Sequence, residues 1–166
     1  LDKKIFFLLG KENLIISDKP NKGNKYSDFG GLRDKQDFSY IDTASREFYE
    51  ETMGSFYSIC EMKEKLINCP VFFNQKYKYY QFLLEDNLSD DKVMTYNKSR
   101  SYLQSCMKLV KQNKSTFYEK ISCCPDGYVE KSEIRWFEVN EILSNAHIFR
   151  REFINSLSKI LNEDLI

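Results

Sequence analysis

The sequence predicts an α/β protein in which a sheet is covered by helices on both sides. Three observations support this class. Short apolar runs fit strands, longer segments show helical periodicity, and the two kinds of segment are interspersed along the chain. The chain has 166 residues, which is enough for one domain with a hydrophobic core and too few for two domains of ordinary size. We therefore treat residues 1–166 as a single domain.

The strands are predicted where short apolar runs end at turn-forming residues. Gly10 separates the first two runs, and the polar stretch DKPNKGNKYSD that follows contains Pro and Gly, which indicates a loop. Later runs are rich in Val, Phe and Tyr, the residues that strands favour. The predicted strands cover residues 5–9, 13–16, 71–73, 79–84 and 127–139.

The helices are predicted from capping residues and apolar spacing. We expect Asp42 or Thr43 to cap a helix that ends near Met53, before Gly54. The acidic start SDD precedes a longer helical insertion over residues 89–112. On that insertion we expect an apolar stripe. We also predict helical structure in two further segments. The stripe contains Tyr102, Leu103, Met107 and Val110; residues 57–67 form a helix or an irregular connection, and residues 148–161 form a closing helix.

Composition excludes several kinds of chemistry. Lys and Arg together number 25, as do Asp and Glu, so no long-range field steers the molecule towards nucleic acid and any such contact must be local. The five cysteines form no CxxC pair and His147 is the only histidine, which excludes a Cys/His zinc site. We assign no role to His147. No stretch reaches membrane-spanning length and IFFLLG is quickly followed by charge, so we expect a cytoplasmic protein without a membrane partner.

The segment GGLRDKQDFSYIDTASREFYEETMG, residues 30–54, contains the candidate chemistry. On a helix, Glu47, Glu50 and Glu51 are spaced i, i+3 and i+4 and therefore share one face. Carboxylates at this spacing repel one another unless a cation lies between them. Their oxygens suit a hard divalent ion, so we expect Mg²⁺ or Mn²⁺ here.

Two neighbouring features strengthen this interpretation. Arg46 precedes Glu50 by four residues, where a guanidinium can hold a carboxylate in a fixed orientation. Gly30 and Gly31 have no side chains, so the backbone before the helix can approach a ligand closely. An acidic helix face taken alone is more often a solvated surface. The combination with the arginine and the paired glycines favours a metal site.

Residues 30–54 resemble the Nudix signature, Gly-x5-Glu-x7-Arg-Glu-hydrophobic-x-Glu-Glu-x-Gly, with REFYEE intact. The resemblance implies an α/β/α sandwich with a mixed central sheet, whose loop and helix bind metal and diphosphate. Glu47, Glu50 and Glu51 would be the metal ligands and catalytic residues, with Arg46 orienting them. The family has Glu where Asp37 stands, eight rather than seven residues separate Asp37 from Arg46, and Met53 adds a residue before Gly54. These departures leave the equivalence of Asp37 open.

The implied reaction is hydrolysis of a pyrophosphate. Metal ions must neutralise the anionic oxygens, and a water molecule must lose its proton near neutral pH; Glu47 or Glu50 is a candidate to act on that water. Related enzymes often recruit another carboxylate from a distant segment, and EKSEIRWFEV offers Glu130 or, alternatively, Glu133. Strand alternation does not decide between these two residues. A Glu ahead of a Trp-Phe pair resembles the second acidic element of mRNA-decapping Nudix enzymes, which favours Glu130.

The substrate is predicted by resemblance and by local composition. LLGKEN, YSDFGG and TASREFYEET resemble Nudix proteins of large DNA viruses of eukaryotes, some of which release methylated guanosine diphosphate from capped mRNA. Lysines alternate with aromatic residues over 74–82, and 108–120 is basic, patterns that suit RNA but also arise on ordinary surfaces. Tyr26 and Trp136 are candidates to sandwich a methylated guanine, although Trp136 is equally typical of a core.

Three hypotheses from different classes therefore remain open. The first is an mRNA-decapping hydrolase whose substrate partner is capped RNA. The second is a small-nucleotide hydrolase acting on oxidised nucleotides, dinucleoside polyphosphates, nucleotide sugars or diphosphoinositol phosphates. The third is a catalytically weak module that binds a nucleotide or a protein. Family membership alone does not choose among them.

Overall fold

The computed structural model describes residues 4–13, 24–113 and 126–163. Short 3-10 turns at Asp126–Val129 and Ala146–Ile148 connect the later elements. In chain order, the strands and helices are β1 (Phe6–Glu12), β2 (Tyr26–Ser27), α1 (Tyr40–Glu51), α2 (Ile59–Leu66), β3 (Val71–Asn74), β4 (Tyr79–Phe82), α3 (Asp90–Asn113), β5 (Lys131–Glu138), α4 (Val139–Ser144) and α5 (Arg151–Asn162).

A three-stranded sheet of order β2-β1-β5 forms the centre of the fold. Both strand pairs are antiparallel, with Leu9 opposite Arg135 and Gly10 opposite Ile134. Because successive side chains point to opposite faces of a sheet, the paired strands β1 and β5 supply two cores. One contains Leu9, Phe137 and residues of α5; the other contains Ile134 and residues of the first three helices. Helices therefore lie on both faces of this sheet.

The predicted α/β class is confirmed, and the predicted mixed arrangement is not established for the described part of the central sheet. Its strand pairs are antiparallel, and the parallel contact found is a single bridge between Tyr26 and Phe149. β3 and β4 pair with each other as a separate hairpin. The four-residue connection between Asn74 and Tyr79 explains the direction of this hairpin, because so short a turn brings β4 back antiparallel to β3.

The strands and helices mostly follow the predicted positions, with three local corrections. Ser39 is the N-cap of α1 in place of Asp42 or Thr43, because its hydroxyl accepts from Asp42 N while the Asp42 carboxylate accepts from Ser39 N. Residues 127–129 form a 3-10 turn before β5 begins. Of the strand predicted over 13–16, residues 14–16 lie outside the described residues, and α4 was not predicted.

The long helix α3 exists, but its predicted apolar stripe is partly wrong. Among its described side chains α3 buries Val93, Tyr96 and Arg100, whereas Tyr102 is 74% exposed. The side chain of Val110 lies outside the described part of the helix. The shift arises because polar groups of α3 pack on β5. Asn97 Nδ2 donates to Ile134 O and Asn97 Oδ1 accepts from Ile134 N, both at 2.9 Å. Among the helices described, none is long and apolar enough to cross a membrane.

Candidate functional site

The candidate site lies on the face of α1 that carries Glu47, Glu50 and Glu51. Phe48 belongs to the core, which fixes the rotation of the helix about its axis. That rotation withdraws two carboxylates from water, leaving Glu47 8% and Glu51 1% exposed. The acidic face is therefore not an ordinary solvated surface, because buried carboxylates require partners that compensate their loss of hydration.

Arg46 supplies part of that compensation. Its Nη2 lies 3.0 Å from Asp37 Oδ2 and 2.8 Å from Glu47 Oε1, and its Nη1 lies 3.0 Å from Glu50 Oε2. The same Nη2 donates to Leu32 O at 3.0 Å, which ties the preceding loop to the helix. One guanidinium thus orients three carboxylates, including the Glu50 contact predicted from their spacing.

Asp37 proves to be a partner of Arg46. It is buried, it accepts from Arg46 Nε and Nη2, and its Oδ2 accepts from Asp34 N at 2.9 Å. The hydrogen bonds from Arg46 lower the pKa of Asp37 to about 2 against the opposing effect of burial. In this arrangement Asp37 holds the arginine and closes the loop over residues 34–37.

The paired glycines bring the loop backbone against the carboxylates. Gly30 N donates to Glu51 Oε2 at 2.9 Å. A Cβ atom at Gly31 would lie 2.4 Å from Glu47 Oε1, so a side chain there would displace that carboxylate. Gly30 and Gly31 thus lie against the acidic face, and their predicted contact with a ligand stays a prediction.

Lys131, the first residue of β5, was not predicted as part of this site. It is 1% exposed, and its Nζ lies 3.2 Å from Glu51 Oε1 and 2.7 Å from Glu12 Oε1. Burial would lower the pKa of Lys131, but the charges of Glu51 and Glu12 outweigh it and raise the pKa, so the lysine remains a cation. Burial raises the pKa of Glu51 to about 8, with Lys131 opposing the shift.

Glu130 lies beside the acidic face, and Glu133 makes a different contact. Burial raises the pKa of Glu47, Arg46 opposes this, and the negative charges of Glu50 and Glu130 add to the rise. Glu130 also adds to the raised pKa of Glu51, so it lies near both glutamates. The carboxylate of Glu133 instead accepts a hydrogen bond from the Tyr26 hydroxyl. Glu130 N donates to Gly127 O at 3.2 Å, and Gly127 packs against α1, since a Cβ atom there would lie 2.7 Å from Glu50 Cβ.

A metal ion held by these glutamates would require a rearrangement of their side chains. Over residues 4–13, 24–113 and 126–163, no group of three or more His, Cys, Asp or Glu side chains is arranged to hold a metal ion. Glu47 and Glu50 are paired with Arg46, and Glu51 with Lys131. The donor chemistry nevertheless fits a divalent ion, because three carboxylates of one helix face share a site partly withdrawn from water.

The structure does not bring Tyr26 and Trp136 together. The Tyr26 ring is buried against Phe137, with 4.6 Å between ring centroids, in the core that contains α5. Trp136 packs on the opposite core and lines a groove of about 630 Å³ between α3 and β5. The expectation that these two rings sandwich one base is wrong, because neighbouring residues 136 and 137 of a strand face opposite sides of the sheet.

Of the two segments that are candidates for RNA contact, the structure describes residues 74–82 completely and residues 108–120 in part. Residues 74–82 form the end of β3, the turn and β4, and Tyr80 there is 40% exposed. Of the basic stretch 108–120, residues 114–120 lie outside the described residues.

Comparison with known proteins adds no assignment, since no family model, curated protein or solved structure matches the chain. The class of this protein is therefore stated from its own fold and site. The chain is an α/β protein whose buried acidic helix face is held by Arg46 and Lys131 beside a glycine loop.

Proposed function

We propose that this chain is a metal-dependent pyrophosphohydrolase of the Nudix type, with a Nudix sandwich fold, acting in the cytoplasm on substrates that contain a nucleoside diphosphate linkage. One observation carries the proposal. Glu47, Glu50 and Glu51 face a common site, and Arg46 holds two of them beside a loop whose Gly31 leaves no room for a side chain. A helix gains no stability from three carboxylates placed in this way, which supports a functional reason for them.

The proposed division of labour follows from the contacts. Glu47, Glu50 and Glu51 would hold Mg²⁺ or Mn²⁺, which neutralises diphosphate oxygens and favours deprotonation of water. Arg46 positions the carboxylates, and the loop at Gly30 and Gly31 leaves the backbone accessible to phosphate oxygens. Glu130 is the further carboxylate that we assign to proton transfer, because it lies near Glu47 and Glu51.

The test is hydrolysis by the purified chain with Mg²⁺ or Mn²⁺ across a panel of pyrophosphate substrates. We expect Glu50→Gln to lower turnover by at least about a hundredfold, because it removes one carboxylate charge while keeping the shape of the side chain. Glu64→Gln is the matched control, since Glu64 is exposed on α2, and it should retain the parental turnover. Absence of hydrolysis by the parent, or full activity of Glu50→Gln, would contradict the proposal and favour a binding module.

Within this class we propose capped mRNA as the substrate, with release of methylated guanosine diphosphate. Exposed aromatic side chains beside the start of α1 support a substrate with several bases; among them are Tyr40 and Tyr80. The discriminating measurement compares cap-labelled RNA with small nucleotides, each with and without metal. Vigorous turnover of a small nucleotide without release from capped RNA would replace decapping by small-nucleotide hydrolysis.

A further inference from the structure

Three aromatic rings from two separate segments form a continuous row on the surface. Tyr40 is the first residue of α1, and its ring centroid lies 4.1 Å from that of Tyr80 on β4. Tyr80 lies in turn 4.7 Å from Phe73 on β3, its cross-strand partner. The interplanar angles of 37° and 36° make both contacts tilted stacks. We call Tyr40, Tyr80 and Phe73 the aromatic row.

The aromatic row is open to solvent. Tyr40 is 52% exposed, Phe73 44% and Tyr80 40%, whereas the opposite face of the hairpin is buried through Phe72 and Gln81. Packing within the chain thus accounts for the side chains on the inner face of this hairpin. It does not account for the exposed aromatic rings on the outer face. An outer strand face at the surface ordinarily carries polar residues.

Two lysines lie in the turn of the hairpin that carries Phe73 and Tyr80, and the ammonium of Lys76 is 5.3 Å from the centre of the Tyr77 ring. Lys76 and Lys78 belong to the turn between β3 and β4, which follows Phe73 by one residue and precedes Tyr80 by one residue, and both are exposed. Aromatic rings that stack bases beside lysines that contact phosphates are the combination by which proteins hold single-stranded nucleic acid. The chain has no net charge, so such an attraction must come from a local group of this kind.

The aromatic row also has a defined position relative to the acidic face. Tyr40 and Glu47 are seven residues apart on α1 and therefore lie on nearly the same side of the helix. At ~1.5 Å per residue, the separation along the helix axis is about 10 Å. A single strand that stacks on the row can therefore present its end to the glutamates.

We propose that the aromatic row, with Lys76 and Lys78, is a binding platform for single-stranded RNA, which places the body of the strand beside the candidate site. The identification of that strand as substrate rests on the proposed function, whereas its binding is measured independently. A protein partner is the competing occupant. The row with its lysines favours nucleic acid, because protein interfaces are depleted in Lys.

The experiment measures fluorescence anisotropy of a labelled, unstructured RNA of about ten nucleotides. The RNA carries a 5′-hydroxyl group and no divalent metal is added, so pyrophosphate hydrolysis does not enter the measurement. We expect Tyr80→Ala to weaken binding by about fivefold to a hundredfold, because the central ring of the row is lost. Phe73→Ala is the second variant and should weaken binding in the same direction. Tyr80→Phe should bind RNA as the parent does, since stacking requires the ring and not the hydroxyl group.

One control variant and one lysine variant test whether binding is specific to the platform. Tyr102→Ala removes an aromatic residue that is 74% exposed on α3, away from the row, and should bind RNA as the parent does. Lys78→Gln should reduce the salt dependence of binding, by about 0.7 in the slope of log affinity against log salt concentration, if the lysine contacts one phosphate. Circular dichroism of each variant establishes that it is folded.

Failure of this inference is distinguishable from failure of the proposed function. No RNA binding by the parent, or parental affinity in both folded Tyr80→Ala and Phe73→Ala, would overturn the platform even if pyrophosphate hydrolysis is found. Self-association that Tyr80→Ala abolishes, without RNA binding, would assign the row to a protein contact. If RNA binding depends on the row but the chain hydrolyses no pyrophosphate, the RNA platform is supported and the proposed hydrolase function is contradicted.

Discussion

At the scale of single residues, the site depends on how a few charges are shared. Arg46 contacts three carboxylates and Lys131 contacts two, so each cation stabilises groups that would otherwise repel one another. Asp37 is the least expected member, since the sequence left its equivalence to a family glutamate open. The structure gives it a definite contact with Arg46.

Asp37→Asn is expected to lower the free energy of unfolding at neutral pH by about 2 kcal/mol, because the carboxylate loses its ionic contact with Arg46. The folded-state pKa of Asp37, about 2, lies below the ordinary value of 3.8. The carboxylate therefore stabilises the fold above that ordinary pKa and ceases to do so as the pH falls through the folded-state pKa. Denaturant titrations of parent and variant should converge between about pH 4 and pH 2, and a constant difference would contradict this account.

Lys131→Met should be strongly destabilising, by about 3–5 kcal/mol, because it leaves Glu51 and Glu12 without their shared cation. Methionine has a similar length, so the change isolates the charge from the packing. Urea unfolding of both proteins measures the loss. Combining Lys131→Met with Glu51→Gln should recover part of it, since one of the stranded carboxylates is then removed. A loss below about 1 kcal/mol would contradict the stabilising role given to the charge of Lys131.

At the scale of elements, α1 is specified locally at its start and by tertiary packing along its length. Ser39 and Asp42 form a reciprocal capping box, and Phe48 turns one side of the helix into the core. The acidic face is held where the chain closes over it from the Gly30 loop and from the turn at Gly127. The sequence predicted the part played by the Gly30 loop, whereas nothing in the sequence predicted that the turn at Gly127 packs against Glu50.

Ser39→Ala should destabilise the fold by about 1 kcal/mol, because Asp42 N loses the hydroxyl acceptor at the first turn. Ser39→Gly is the matched control and should cost only a few tenths of a kcal/mol, since glycine is tolerated at N-caps. Thermal unfolding followed by circular dichroism ranks the three proteins. Absence of a loss in Ser39→Ala would mean that the hydroxyl is not a stabilising group.

The outer edge of β5 explains why the sequence predicted the position of α3 along the chain but not which of its residues are buried. Asn97 pairs with both backbone groups of Ile134, and Arg100 donates to Lys131 O at 2.6 Å. These polar side chains satisfy strand groups that none of the described strands reaches. Apolar spacing alone therefore selected residues such as Tyr102, which the structure exposes.

At the scale of the whole molecule, one sheet joins two cores and thereby sets the candidate site at the junction of distant segments. Glu12 on β1 and Lys131 on β5 are 119 positions apart and meet because those strands pair. Glu51 joins them from α1. A ligand bound at these glutamates is therefore expected to stabilise the fold as a whole.

Mg²⁺ or Mn²⁺ should accordingly raise the melting temperature, by about 5 °C when the ion is at roughly a hundred times its dissociation constant. Differential scanning calorimetry with increasing metal measures the shift. Glu50→Gln should show a smaller shift than the parent at each concentration, whereas Glu64→Gln on the exposed side of α2 should behave as the parent does. No shift in the parent would remove the metal-binding proposal without reference to turnover.

The sequence by itself determined the α/β class and the helix that places Glu47, Glu50 and Glu51 on one face. Helical spacing is local, so it follows from a period of about 3.6 residues and a capping residue. Only the tertiary structure decided that Lys131 is buried against Glu51, that Glu130 rather than Glu133 lies near the acidic face, and that Tyr26 and Trp136 are separated. These outcomes depend on strand register, in which a shift of one residue exchanges the two faces of the sheet.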